Sequence, residues 1–174
     1  MKKYIAISGS LRKESYNTYL LKAAQKLAPE GISIEILNIS DVPLFSQDLE
    51  TTVPKIVEEL KEKLKSSDGV ILATPEYNRS FSGVLKNTID WMSRPYGSNL
   101  FAGKTVLVLG ASPGAIGTAI AQSQLKEILL YLDMKVIGQP EFYLGLAHEK
   151  FNQAGELVDE ATKEHLIKAL NTLI

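Results

Sequence analysis

Residues 69–78 read GVILATPEYN, a short apolar run followed at once by a polar loop. The run 69–73 has the length and branched side chains of a strand buried on both faces, which is typical of a parallel sheet. Pro75 restricts the residue before it to extended geometry and so ends the strand. The stretch therefore predicts a central strand whose carboxyl end opens into a loop rich in hydrogen-bonding groups.

Apolar runs alternate with amphipathic stretches on both sides of this strand. The other runs cover residues 4–7, 32–39, 105–109 and 134–137, and the helical stretches cover residues 17–27, 54–64, 84–91, 119–132 and 162–173. Such alternation predicts one α/β domain over residues 1–174, a flavodoxin-like three-layer sandwich. Its five parallel strands would follow the order 2-1-3-4-5, with helices on both faces. We expect loops at 41–52 and 140–155.

Composition excludes several classes of protein. With 174 residues, 45% hydrophobic and 22% charged, the chain can bury a globular core. The net charge of -1 provides no basic field for nucleic acid or an anionic membrane. The absence of cysteine excludes disulfides, iron–sulfur clusters and thiol nucleophiles, and no metal-ligand spacing occurs. No signal-type stretch or membrane-length apolar run is present, so we expect a cytoplasmic protein.

Ligands of open parallel sheets bind outside the carboxyl ends of the strands, where the strand order reverses. In the order 2-1-3-4-5 that point lies between strands one and three. Loop 1 (residues 8–17) and loop 3 (residues 74–83) should line this crevice, and loop 4 (residues 111–117) should reach it from the side. These three loops are the richest in Gly, Ser, Pro and Asn.

Loop 1 reads SGSLRKESYN and supplies hydroxyls, an amide, two cations and a helix that begins near Ser15. Free N–H groups at a helix N-terminus form a phosphate cradle. The loop is not a Walker A motif, because the Gly-Lys-Ser/Thr triplet is missing. The alternative is structural, with Ser15 only capping the helix and Arg12 solvated. The crevice position favours phosphate.

Loop 3 places an acid, an aromatic ring and an amide beside backbone N–H groups, an arrangement that can hold a flat heterocycle by its edge. A turn with a structural tyrosine is the alternative.

Loop 4 resembles two unrelated motifs. It approaches the dinucleotide fingerprint, but Ser112 replaces the middle glycine. It also matches G-x-S-x-G, the nucleophile elbow of α/β-hydrolases. The oxyanion hole of that fold needs an N–H on the residue after the serine, and Pro113 has none. The hydrolase alternative is therefore disfavoured. It would also need a catalytic histidine, and neither His148 nor His165 lies in a motif.

Taken together, the three loops resemble the NAD(P)H-dependent FMN reductases, the family that includes quinone, chromate and azo-dye reductases. The resemblance spans essentially the whole chain. It rests on GSLR at 9–12 with Ser15 and Asn17, on PEYN at 75–78 followed by GVLKN at 83–87 and DW at 90–91, and on SPG at 112–114 with GT at 117–118. Ser82 departs from the family's frequent proline before the glycine.

The resemblance implies three sets of FMN-binding residues. Phosphate ligands would be Ser10, Arg12, Ser15 and Asn17. Pro75, Glu76, Tyr77 and Asn78 would line the isoalloxazine ring, and Ser112 and Gly114 would approach its pyrimidine side. It also implies a homodimer or homotetramer with the flavin near the subunit interface.

The implied activity is an FMN-containing oxidoreductase that uses NADPH or NADH, with no catalytic side chain because the flavin carries the chemistry. Small-molecule acceptors would be quinones, flavins, chromate or azo compounds. Two alternatives stay open: a flavodoxin-type electron carrier without its own turnover, and a reductase for which FMN is a diffusing substrate.

Overall fold

The computed structural model describes all 174 residues and contains one parallel sheet flanked by five helices. The strands are β1 (Lys2–Ser8), β2 (Ile32–Leu37), β3 (Gly69–Ala73), β4 (Thr105–Ala111), β5 (Lys135–Val136) and β6 (Phe142–Leu144). The order β2-β1-β3-β4-β5 confirms the predicted flavodoxin-like topology. Strands β1 and β3 lie in the middle of this order because their side chains are apolar and must be covered on both faces of the sheet.

The helices are α1 (Tyr16–Lys26), α2 (Lys55–Lys65), α3 (Gly83–Ser93), α4 (Ala119–Tyr131) and α5 (Glu160–Asn171). One core lies between the sheet and α1 with α5, and a second lies between the sheet and α2, α3 and α4. The three-layer prediction is therefore confirmed, with helix bounds shifted by one or two residues. No helix has the length and apolar character needed to cross a membrane.

The fifth strand position differs from the prediction. Only Lys135 and Val136 pair with the start of β4, whereas β6 pairs with its end, Leu144 lying opposite Ala111. The prediction of a loop over residues 140–155 was therefore wrong in part, because this segment contains β6 and a short 3-10 helix at Ala147–Glu149. Pro140 cannot donate a ladder hydrogen bond, so the strand is interrupted there. Three residues are too few to show a period in sequence.

The central strands end side by side. Ser8 lies opposite Ala73, and Ala73 lies opposite Leu109, so β1, β3 and β4 deliver their following loops to the same edge of the sheet. Gly110 lets α4 pack close behind this edge, because a Cβ there would lie 1.7 Å from Thr118 Oγ1.

Candidate functional site

The three predicted loops meet at the carboxyl edge of the sheet. The N–H of Gly9 donates to Ala73 O at 2.8 Å, and the N–H of Thr74 donates to Leu109 O at 3.0 Å. A Cβ on Gly9 would lie 2.8 Å from Ser82 Oγ and 3.1 Å from Pro75 Cδ, so a side chain there would push loops 1 and 3 apart. The crevice derived from topology is therefore a real juxtaposition.

Loop 1 carries an array of unbonded main-chain donors. The N–H groups of residues 13–17 have no acceptor within the chain. They surround the N-terminus of α1, where the helix dipole adds positive potential. Ser15 caps the helix, since its Oγ accepts the N–H of Thr18 at 3.3 Å, which leaves the hydroxyl proton free to donate. This array fits a phosphate group in charge and in donor number.

Arg12 and Ser10 flank the array. The Arg12 guanidinium lies over the Tyr16 ring, with its carbon 5.2 Å from the ring centroid, and it forms no ion pair with any carboxylate. Its charge is thus available to an anion in the loop. Ser10 Oγ accepts the N–H of Arg12 at 3.4 Å and keeps its own proton.

Asn17 lies in the predicted place but is engaged elsewhere. Its Nδ2 donates to Ala111 O at 3.0 Å, and its Oδ1 accepts the N–H of Ala111 at 3.0 Å. The side chain is buried, and it ties the start of α1 to the end of β4. One amide N–H remains for a ligand, so the main effect of Asn17 is to hold loops 1 and 4 together.

Loop 3 is a tight hairpin. Tyr77 and Ser80 exchange two backbone hydrogen bonds of 3.0 Å around Asn78 and Arg79, whose φ angles are 51° and 63°. Two positive φ values in succession define a type I′ turn, which suits asparagine and is rare for arginine. The N–H groups of Glu76, Asn78 and Arg79 have no acceptor in the chain, while the Tyr77 ring is half exposed.

Glu76 has a structural contact that the sequence did not reveal. Its Oε2 accepts the N–H groups of Ile120 and Ala121, each at 3.1 Å, at the N-terminus of α4. Thr118 occupies the N-cap position of α4 without a side-chain cap bond. The carboxylate of loop 3 therefore caps a helix that begins more than forty residues later, and its negative charge faces the positive end of the helix dipole.

A second pair of contacts fixes loop 3 to α4. Ser80 Oγ donates to Gln124 Oε1 at 2.6 Å, and Gln124 Nε2 donates to Arg79 O at 2.8 Å. Gln124 was not predicted as a site residue. Only its position one turn beyond the start of a helix next to the crevice would have indicated it.

Loop 4 is closed by its own serine. Ser112 Oγ donates to Gly117 O at 2.8 Å, and the Ser112 N–H donates to Leu144 O in β6 at 2.9 Å. The N–H groups of residues 114–116 are left without an acceptor. His165 Nε2 lies 2.7 Å from Glu141 O, and no histidine contacts Ser112, so the geometry gives the hydrolase alternative no support.

These donors fit FMN as a set. A phosphate suits loop 1, and the polar edge of an isoalloxazine ring presents acceptors to free N–H groups such as those of loops 3 and 4. No group of three His, Asp or Glu side chains is arranged to hold a metal ion.

Comparison with known proteins agrees with this chemistry. The family model described as NADPH-dependent FMN reductase matches residues 2–149. A 2-hydroxy-1,4-benzoquinone reductase from a Burkholderia species is 42% identical over 164 residues, covering 94% of this chain and 90% of that protein. A quinone reductase from Escherichia coli K12 is 42% identical over 166 residues, covering 93% and 88%.

Solved structures show the same likeness. FerB, a flavoenzyme NAD(P)H:(acceptor) oxidoreductase from Paracoccus denitrificans, superposes with a TM-score of 0.92 at 41% identity, covering 99% of this chain and 94% of that chain. An FMN-dependent NADH-azoreductase from Bacillus anthracis, solved with FMN, has a TM-score of 0.66 at 16% identity and shares the fold. A match over residues 2–149, with relatives aligned along nearly their whole length, places this chain in the NADPH-dependent FMN reductase family.

Proposed function

We propose that the protein is an NAD(P)H-dependent FMN oxidoreductase that reduces small acceptors, with quinones as the leading class. The observation that carries this proposal is the run of unbonded N–H groups at residues 13–17, which forms an anion cradle beside two further sets of free donors. Family membership and the names of the relatives as quinone reductases support the same activity.

When bound, FMN would supply the two-electron redox chemistry that links the nicotinamide to the acceptor. The chain contributes binding and orientation. In loop 1, Ser10, Arg12 and Ser15 would hold the phosphate together with the main-chain donors, and Arg12 would add a charge-assisted hydrogen bond. Asn17 would hold the loop against β4 and offer its remaining N–H.

Loops 3 and 4 would hold the ring. Pro75 and Tyr77 offer apolar contact, and the N–H groups of Glu76 and Asn78 would donate to one polar edge. The N–H of Gly114 and its neighbours would donate to the pyrimidine side and would stabilise negative charge there, while Ser112 keeps that loop folded. Glu76 bonds α4 with its carboxylate, so that charge is held away from the ring edge.

The proposal extends to the oligomeric state and the cellular location of the protein. Large apolar side chains are exposed near the carboxyl ends of α3 and α4, where Tyr96 is 87% and Tyr131 is 82% exposed. They line a cavity of about 580 Å³, which supports a homodimer or homotetramer assembled through this face. Light scattering during gel filtration would measure the number of subunits in the assembly. A cytoplasmic location is proposed from the sequence alone.

The visible spectrum of the purified protein tests the activity. We expect flavin absorbance that survives dialysis, bleaches anaerobically with NADPH or NADH, and returns when a quinone is added. A flavin that no nicotinamide bleaches would instead indicate an electron carrier, the alternative that the named relatives do not favour. Flavin lost on dialysis, with turnover restored by added FMN, would indicate that FMN is a substrate.

A further inference from the structure

The segment after β2 is tied to α3 by its backbone. Asn87 Oδ1 accepts the N–H of Phe45 at 2.8 Å, and Asn87 Nδ2 donates to Pro43 O at 2.9 Å. Trp91 Nε1 donates to the same Pro43 oxygen at 2.8 Å. We refer to residues 42–45 as the strap. Both ends of the tripeptide around Leu44 are therefore fixed by side chains of one helix.

Aromatic and ionic contacts support these hydrogen bonds. The Phe45 ring meets the buried Trp91 ring edge to face, with centroids 5.1 Å apart and planes at 90°. Further along, Arg94 Nε lies 2.7 Å from Glu50 Oε1. The strap was predicted as an ordinary loop, whereas its contacts make it a positioned element of the fold.

Leu44 is the exception within the strap. It is 83% exposed, although Pro43 and Phe45 on either side of it are anchored. Its backbone is fixed, so little chain entropy would be lost if a ligand covered the side chain.

A small apolar pocket lies beside Leu44 and next to the crevice. Its volume is about 90 Å³, and Leu11, Val42, Leu44, Gly83 and Val84 are among the residues that line it. Leu11 belongs to loop 1 and Gly83 is the last residue of loop 3, so the pocket adjoins two of the loops proposed to hold the flavin. No charged side chain lines it. A cavity of about 150 Å³ is known to bind benzene, so a pocket of about 90 Å³ suits a short substituent better than a ring.

We infer that the strap forms a subsite for the short alkyl or alkoxy substituent of a quinone acceptor, with Leu11, Val84 and Leu44 around the substituent. The inference rests on the proposed function and deepens it by naming a substrate class. Burying one methylene is worth about a fourfold gain in kcat/KM. A quinone substituted with a methyl or ethyl group should therefore be preferred over the parent ring, and a tert-butyl group should exceed the pocket.

The test compares wild type with Leu44→Ala over 1,4-benzoquinone and its methyl, ethyl and tert-butyl derivatives. The ratio of wild-type to variant kcat/KM for each quinone cancels the intrinsic reactivity of that compound. We expect a ratio near one for the parent quinone, rising to about four- to tenfold for the ethyl derivative. Ile167→Ala, which removes another partly exposed aliphatic side chain from α5, is the matched control and should give a flat series.

Two further measurements separate this inference from the proposed function. FMN content and the anaerobic rate of bleaching by NAD(P)H should be equal in wild type and Leu44→Ala. Methyl NMR signals of Leu44 should shift when ethylhydroquinone is added to the oxidised holoprotein. An active wild type with an equal ratio for all four quinones would overturn the subsite and leave the oxidoreductase intact. A wild type that no nicotinamide bleaches would overturn both.

Discussion

Loops 1 and 3 face the same crevice but are built in opposite ways. In loop 1 the main-chain N–H groups of residues 13–17 have no hydrogen-bond partner, and Arg12 forms no ion pair with a carboxylate. Loop 3 is bonded to α4 through Glu76 and through the contacts of Ser80 and Arg79 with Gln124. A phosphate is small and highly charged and can be held by a cluster of free main-chain donors, whereas a flat ring is oriented by donors on a loop that is braced from behind.

The contrast assigns the functional side chains of the two loops to different tasks. In loop 1 a side chain and the main chain would contact the ligand themselves. In loop 3 the conspicuous carboxylate of Glu76 contacts a helix, and the main chain is left for the ligand. Removing the Arg12 side chain should therefore act on affinity alone, whereas removing the Glu76 side chain should act on both stability and affinity.

The largest effect is expected for Glu76→Ala. The variant leaves two N–H groups of α4 without their cap and releases loop 3, so we expect a loss of about 1–2 kcal/mol in the free energy of unfolding of the apoprotein. FMN affinity should fall by about tenfold, the equivalent of about 1.4 kcal/mol. Urea unfolding and FMN titration by fluorescence quenching measure the two quantities.

Two controls define the cause of that effect. Glu76→Gln keeps an oxygen that can accept from Ile120 and Ala121, so it should recover part of both losses. Glu127→Ala removes a carboxylate from α4 for which no hydrogen bond is present, and it should change neither. If Glu76→Ala lost affinity with no loss of stability, the carboxylate would act on the ligand and the contrast between the loops would fail.

Arg12→Ala should show the opposite pattern. The guanidinium lies over the Tyr16 ring and forms no ion pair or hydrogen bond within the chain, so the apoprotein should unfold at nearly the same temperature as wild type. FMN affinity should fall by about three- to tenfold, because a charge-assisted hydrogen bond to the phosphate is lost at an exposed site. The difference should shrink at high salt.

Lys22→Ala is the matched control for Arg12→Ala, since it removes an exposed cation of α1 that forms no ion pair. Its FMN affinity should equal that of wild type. Equal affinities for wild type and Arg12→Ala would remove Arg12 from the phosphate site.

Gly114→Ala tests whether the ring also approaches loop 4. A Cβ at this position would meet only Ser112 Oγ, at 3.7 Å, so the fold has room for it. A bound ring lying against the loop would be displaced, and we expect FMN affinity to fall by about fivefold, the lower end of the cost of overpacking a close contact. Gly138→Ala, where a Cβ meets nothing within 4 Å, is the control. Unchanged affinity in Gly114→Ala would place the ring elsewhere.

The sequence predicted the topology because each central strand is a continuous apolar run and each helix has an apolar face. It predicted the location of the crevice for the same reason, since the strand order alone decides which loops meet. It missed β6, where only Phe142 and Leu144 face the core and the run is too short to show alternation. It also missed the anchored strap, because its bonds reach residues of α3 about 44 positions away.

The sequence indicated which loops meet at the crevice more fully than which contacts their side chains make. Hydroxyls, amides and cations in loops 1, 3 and 4 indicated a polar crevice, and the free N–H groups agree with that. The contacts of Glu76 with Ile120 and of Asn17 with Ala111 had no sequence signal, because both bonds join a side chain to a backbone group far along the chain. A local pattern reports a capping residue only when it is three residues or so from its partner.

Asp159 is such a local cap, and its removal should have the smallest effect on FMN affinity and give the sharpest contrast with Glu76. Its Oδ1 accepts the N–H of Thr162 at 2.9 Å at the start of α5, and Oδ2 lies 3.0 Å from Lys150 Nζ. Both caps join a carboxylate to a helix N-terminus. However, α5 lies on the same side of the sheet as α1, and Asp159 bonds none of the three loops. Asp159→Ala should therefore lower the unfolding temperature by about 2–4 °C and leave FMN affinity unchanged.

The stability difference for Asp159→Ala should also depend on pH. Hydrogen bonds from Thr162, followed by those from Lys150, lower the pKa of Asp159 from 3.8 to about 2, so folding favours the charged carboxylate. The stabilisation is complete above pH 3.8 and is lost as the pH falls towards 2. Unfolding temperatures of wild type and variant should therefore differ at pH 7 and converge between pH 3.8 and 2. If FMN affinity fell in Asp159→Ala as it does in Glu76→Ala, helix capping would affect the crevice through general stability, and the specific link between loop 3 and α4 would lose its support.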